Sequence, residues 1–147
     1  MAFCSKAQFR ILVAATIAIY LALSAIVSLR LVPYPHEIEV VRTWNHYQAI
    51  FPYPLRLGWE VADMILFLIA QIGLLFFRPF ARRLLAALLV ITVLMAPFMG
   101  LLVLSPLEHF VTALVGLLAC LTLAIAAFSP LAVEFRSKRD IPAPALP

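Results

Sequence analysis

Four apolar runs, separated and flanked by segments that hold most of the charge, constrain this chain more than any other feature of it. They cover residues 9–32, 57–77, 84–104 and 106–128. A helix of about 20 apolar residues is about 30 Å long, which matches the hydrocarbon core of a bilayer. Only 12% of the 147 residues are charged and 65% are hydrophobic, whereas a soluble domain needs charge over its whole surface. The fold expected is an all-α membrane protein, a bundle of four transmembrane helices. Residues 1–133 form a single transmembrane domain, and 134–147 form a charged, proline-rich tail expected to be disordered. Lys6 and Arg10 before the first run also suit a signal peptide, but the apolar core of such a peptide is about 7–15 residues, shorter than this run.

Prolines and caps mark the ends. Arg78-Pro79 stops the second span, because proline disfavours helix in the residue before it. Pro97 and Gly100 predict a kink in the outer half of the third span. Ser105-Pro106-Leu107-Glu108 has serine at N-cap, proline at N1 and glutamate at N3, which makes a capping box for the fourth. Spans three and four should then form a tight antiparallel hairpin, and spans two and three are also joined briefly, through Arg78–Arg83.

Orientation follows from the basic residues. Lys6, Arg10, Arg78, Arg82, Arg83, Arg136, Lys138 and Arg139 lie on the side of both termini, against Arg30, Arg42 and Arg56 on the other. The positive-inside bias therefore places both termini in the cytoplasm and, in a bacterium, the protein in the inner membrane. That bias also accounts for the net charge of +4, so nucleic acid is not an expected partner. In the outer loop, 33–56, Ile38, Val41, Trp44 and Tyr47 recur every three residues between polar neighbours, which predicts a short amphipathic helix lying on the interface between spans one and two.

All three histidines (His36, His46, His109) and five of the seven carboxylates (Glu37, Glu39, Glu60, Asp63, Glu108) fall on the outer side. They do not form a metal motif: no HxxxH or HExxH places two ligands on one helix face, and helix dipoles favour carboxylates in first turns. Asp63 is the sharpest case. It lies about two turns into span two, where an unpaired charge costs up to roughly 2.5–3.5 kcal/mol. Arg30 is the preferred partner and Arg56 the second. A polar or ligand site could therefore gather Arg30, Glu60, Asp63, Arg56, Glu108 and His109. Gln71, mid-span, reads as interhelical glue.

Small residues form two stripes, Ala14, Ala18 and Ala22 in span one and Ala113, Gly116, Cys120, Ala124 and Ala127 in span four. Such stripes allow close backbone approach, and packing within the bundle is the expected use, with a partner subunit as the other. Cys4 and Cys120 stand apart with no CxxC, so neither a disulfide nor thiol redox chemistry is indicated. No span carries a central histidine to ligate haem, and span one lacks the central glutamate of a small multidrug antiporter. No Walker loop or nucleophile elbow occurs either, and no cofactor is implied.

The last hairpin, opened by Ser105-Pro106-Leu107-Glu108 and closed by Ala127-Phe128-Ser129-Pro130-Leu131 ahead of Phe135 and the basic tail, resembles a loose group of small bacterial inner-membrane proteins of four helices and unassigned function. The resemblance covers about the last third of the chain and implies a bacterial source but no mechanism. Two functions are expected from the residues. The first is a non-enzymatic protein acting through contacts in the membrane, as a subunit, assembly factor or immunity-like protein, with another membrane protein or a second copy as partner. The second is a small transporter or ligand-binding bundle with an outward-facing polar site around Arg30, Glu60 and Asp63. A lipid-acting enzyme ranks third, since no arrangement of Glu, His and Arg specifies one.

Overall fold

The computed structural model describes residues 5–28, 40–41, 50–99 and 106–135. Among them every regular element is helical: α1 is Lys6–Ser28, α2 Tyr53–Leu75, α3 Pro79–Met95 and α4 Pro106–Phe128. Short 3-10 helices follow α3 at Ala96–Phe98 and α4 at Pro130–Phe135. Four helices, with the third counted through Phe98, are long and apolar enough to cross a membrane.

Each helix end has a local cause. α1 begins three residues before the apolar run because Ser5 and Gln8 form a capping box: the Ser5 amide donates to Gln8 Oε1 (2.9 Å) and the Gln8 amide to Ser5 Oγ (3.2 Å). α2 ends in a Schellman motif. The Phe77 amide donates to the Leu74 carbonyl (3.1 Å) and the Arg78 amide to the Gly73 carbonyl (2.8 Å), with Phe77 left-handed at φ 54°. Arg78 is then extended and Pro79 sits in the first turn of α3. So α2 runs from Tyr53 to Leu75 rather than over 57–77. α3 starts at Pro79 rather than Leu84, because Arg82 and Arg83 are helical residues whose charges need not enter the apolar run.

Regular α-helix in the third span ends at Met95, and residues 100–104 of the expected span lie outside the described residues. Pro97 has no N–H to return to Val93, and the chain tightens into a 3-10 turn at Ala96–Phe98. The carbonyls that follow find partners outside α3. Phe98 accepts from the Phe51 amide (3.3 Å) and Met99 from Arg56 Nη1 (3.4 Å), while the Phe51 and Phe98 rings stack at 5.5 Å. Within the outer loop only Val40 and Val41 of the expected interfacial helix are described; both are helical and exposed. Ile38, Trp44 and Tyr47 lie outside the described residues, as do Arg30 and Ser105.

The helices form a ring in which α1 packs chiefly on α4 and α2 on α3, with lesser contacts between α1 and α2 and between α3 and α4. The closest approach is in the α2–α3 hairpin, where a Cβ placed on Gly73 would come within 2.6 Å of Ala81 Cβ. The core lies in the half of the bundle nearest the two chain ends: Phe9 and Val13 of α1, Phe67, Ala70 and Leu74 of α2, Ala81, Leu85 and Leu88 of α3, and Val115, Ala119 and Ala126 of α4. Leu131 and Phe135 close it from below. The 3-10 helix after α4 therefore runs two residues past 133, where the transmembrane domain was expected to end. Phe135 is fully buried against Phe9 (6.0 Å, edge-on) and Phe77 (5.2 Å), and Lys6 Nζ meets Glu134 Oε1 at 3.0 Å.

The small-residue stripes do not make this core. Ala14, Ala18 and Ala22 are all exposed, as are Ala113, Cys120 and Ala124, with Gly116 and Ala127 only part-buried. Inward positions instead go to Phe9, Val13 and Thr16 on α1 and to Val115, Ala119 and Thr122 on α4. Apart from Ala119 these are larger than alanine, and Phe9, Val13 and Val115 bury more apolar area than it does.

Candidate functional site

The site is found by following the inward stripe of each helix from the core toward the far end. Residues at spacings of three and four share a helix face. On α1 the stripe Phe9, Val13, Thr16 is buried and its next member, Tyr20, is only half-buried. On α3, Ala81, Leu85 and Leu88 are buried and the next, Thr92, is exposed. On α2, reading outward, Leu74, Ala70 and Phe67 are buried and the next, Asp63, is half-buried. On α4, Ala126, Thr122, Ala119 and Val115 are buried, followed by part-buried Val111 and exposed Thr112. All four stripes lose burial beyond this core, in the far half of the bundle. The less covered side chains in inward register outline a candidate opening between the helices, and those of Tyr20, Asp63 and Thr92 are polar.

Bonds across the helices place the opening. Thr92 Oγ1 donates to Asp63 Oδ1 at 3.3 Å, which ties α3 to α2 midway along α2. The Tyr20 ring lies 4.6 Å from that of Phe67, tilted by 45°, which brings α1 to the same level. Its phenol is within electrostatic reach of the Asp63 carboxylate. Thus Asp63 bonds a neutral hydroxyl rather than Arg56, the second partner expected for it; Arg56 lies two turns along α2 and turns to the Met99 carbonyl and the Tyr53 ring, 6.0 Å away. The preferred partner, Arg30, lies outside the described residues.

Beyond the opening two stripes close again on charged residues. Arg56 in the first turn of α2 is 7% exposed and Glu108 in the first turn of α4 is 2% exposed. Burying either charge is costly unless polar groups replace its water, and Glu108 also gains from the positive end of the α4 dipole. Glu108 is thus an interior residue and not only a surface cap. Glu60 and His109, the remaining members of the expected site, are exposed. Among the described residues no group of three His, Cys, Asp or Glu side chains is placed to hold a metal ion.

Below the opening lies a second set of polar residues. Thr16, Gln71 and Thr122 are fully buried. Both threonines satisfy themselves by donating to their own helix, Thr16 to Leu12 O and Thr122 to Ala119 O, each at 2.9 Å. Gln71 does not act as interhelical glue, since neither its Nε2 nor its Oε1 has a hydrogen-bond partner within the protein. Sequence reasoning missed Tyr20 and Thr92 as site residues. Their signal was register: each extends a 4-3-4 apolar stripe with a hydroxyl.

No family model, no curated protein and no solved structure matches this chain.

Proposed function

We propose that this is an integral membrane protein that binds a small polar ligand in a chamber open toward the outer side, between Tyr20, Asp63 and Thr92, for transport or sensing. One observation carries the reading: inward stripes on four helices lose burial beyond a common core, and an intramembrane carboxylate stands in the gap. A charge in that position is costly, and its usual return is function. A membrane setting is supported by large apolar side chains turned away from the bundle, among them Ile65, Ile69 and Ile72 on α2 and Leu117 and Leu121 on α4. An inner-membrane protein with cytoplasmic termini fits the basic residues, since Lys6, Arg10, Arg78 and Arg82 all lie at the end where the core is closed. The chamber then faces outward.

Cysteine accessibility tests this directly. In a background with Cys4→Ser and Cys120→Ala, Thr92→Cys should react with a membrane-impermeant methanethiosulfonate added outside. Leu94→Cys, exposed on the opposite face of α3 toward lipid, should stay inert because the reagent needs water. Equal inertness of the two cysteines would end the chamber reading.

A second function, docking on another membrane protein or a second copy, is favoured by the exposed stripe Ala14, Ala18, Ala22 on α1, which would let a partner helix approach closely. Mild solubilisation that recovers only a lone monomer counts against it.

A further inference from the structure

We propose that the ligand of the chamber is a small organic monocation of the alkylammonium class, with Asp63 as its counter-charge and Tyr20 as the aromatic surface beside it. The proposal rests on the chamber reading above and adds to it the sign, valence and apolar character of the occupant.

The sign follows from what surrounds Asp63. Its hydrogen bond comes from the neutral Thr92 hydroxyl, and the Lys6–Glu134 ion pair is at the far end of the bundle. A carboxylate at mid-helix without a cationic neighbour among the described residues attracts a cation and repels an anion. Arg56, the cation on the same stripe, is buried and already directed at the Met99 carbonyl. The valence follows from the count of ligating groups. Divalent ions take several oxygen or nitrogen ligands, and no acidic or histidine cluster among the described residues supplies them. One carboxylate balances one positive charge.

The organic character follows from the walls. Tyr20 packs its ring against Phe67 beside the carboxylate, and Trp59, one turn from Asp63 along α2, is half-buried on the same side. A small inorganic ion would keep its water or demand an oxygen cage. An alkylammonium is weakly hydrated, spreads its charge over carbon, and gains from an aromatic face as well as from a carboxylate.

Calorimetric titration of the full chain in a non-ionic maltoside micelle tests this, with choline and benzyltrimethylammonium as probes and 3,3-dimethylbutan-1-ol as the uncharged isostere of choline. The two cations should bind, and the isostere at least about ten-fold more weakly. Asp63→Asn should weaken the cations by a similar factor. Tyr20→Leu should weaken them by about three- to thirty-fold, while Tyr20→Phe, which keeps the ring, should not. The isostere comparison uses the wild-type chain, so it stands even if a variant fails to fold. Equal binding of alcohol and cation, or no cation binding while Thr92→Cys reacts from outside, overturns the ligand class and leaves the chamber intact. An inert Thr92→Cys removes the chamber itself.

Discussion

At the scale of single residues, Gln71 and Asp63 show how differently two polar groups in one apolar helix can be treated. Gln71 is fully buried with both amide atoms unpartnered within the protein, so folding forfeits hydration there without return. Replacing it by an apolar residue of similar size should remove that cost. Gln71→Leu is expected to raise stability in detergent by about 1 kcal/mol, read as an increase in melting temperature. A loss of stability instead would mean that the amide is satisfied through bound water. Asp63 is only half-buried and accepts from Thr92, and under the proposed function its charge serves binding more than folding. Asp63→Asn retains an acceptor for Thr92 and removes the charge. It should leave thermal stability unchanged or slightly raised while weakening cation binding by about ten-fold, the usual trade between a functional site and stability. A variant that melts well below the wild type would show the carboxylate to be structural.

At the scale of elements, the α2–α3 hairpin is the tightest piece of the fold. Phe77 occupies a left-handed position that glycine normally fills, at a cost of about 1–2 kcal/mol. Its ring offsets that cost, packing on Phe9 at 5.6 Å and on Phe135, with the Arg10 guanidinium 5.4 Å above it. Gly73 is the other constraint. Its missing Cβ lets Ala81 sit where any side chain would collide, and Ala81 Cβ is rigidly attached to backbone. Gly73→Ala should therefore splay the hairpin and cost about 1–3 kcal/mol, seen as a lower melting temperature. Gly116→Ala, at a position where an added Cβ meets nothing within 4 Å, should be near neutral. The contrast between the two glycines is the sharper measurement.

At the scale of the molecule, the described helices pack most closely at the end where Leu131 and Phe135 close the core. The closed end is held by the return of Pro130–Phe135, whose start is set by Ser129: its carbonyl accepts from Ala132 (2.9 Å) and its hydroxyl from Leu131 (3.2 Å). Two contacts tie this segment down, and they should differ greatly in worth. Lys6 and Glu134 are both solvent-exposed, so Glu134→Gln should shift stability by less than about 1 kcal/mol. Phe135 fills the gap between Phe9 and Phe77, and Phe135→Ala should cost about 3–5 kcal/mol, measured by thermal unfolding in micelles. Among the described residues the other end has no comparable apolar plug, and the proposed ligand would enter there.

Four helices and the turn between α2 and α3 were legible in the sequence, because long apolar runs and proline act locally and need no partner to be read. The capping box at Ser5-Lys6-Ala7-Gln8 was equally local, but the hydropathy of the run, which starts at Phe9, drew the boundary away from it. Asp63 stood out by cost alone. Its partner did not: Thr92 lies 29 positions further along the chain, and only the pairing of α2 with α3 decides which hydroxyl it meets. The small-residue stripes misled for the same reason, since periodicity marks a face without saying whether that face turns to a neighbour or to lipid. The chain by itself settles where it is helical, a matter of backbone amides satisfying one another within each run. Which faces meet, and where they part to leave Asp63 uncovered, depends on long-range contact, and only the folded bundle holds that information.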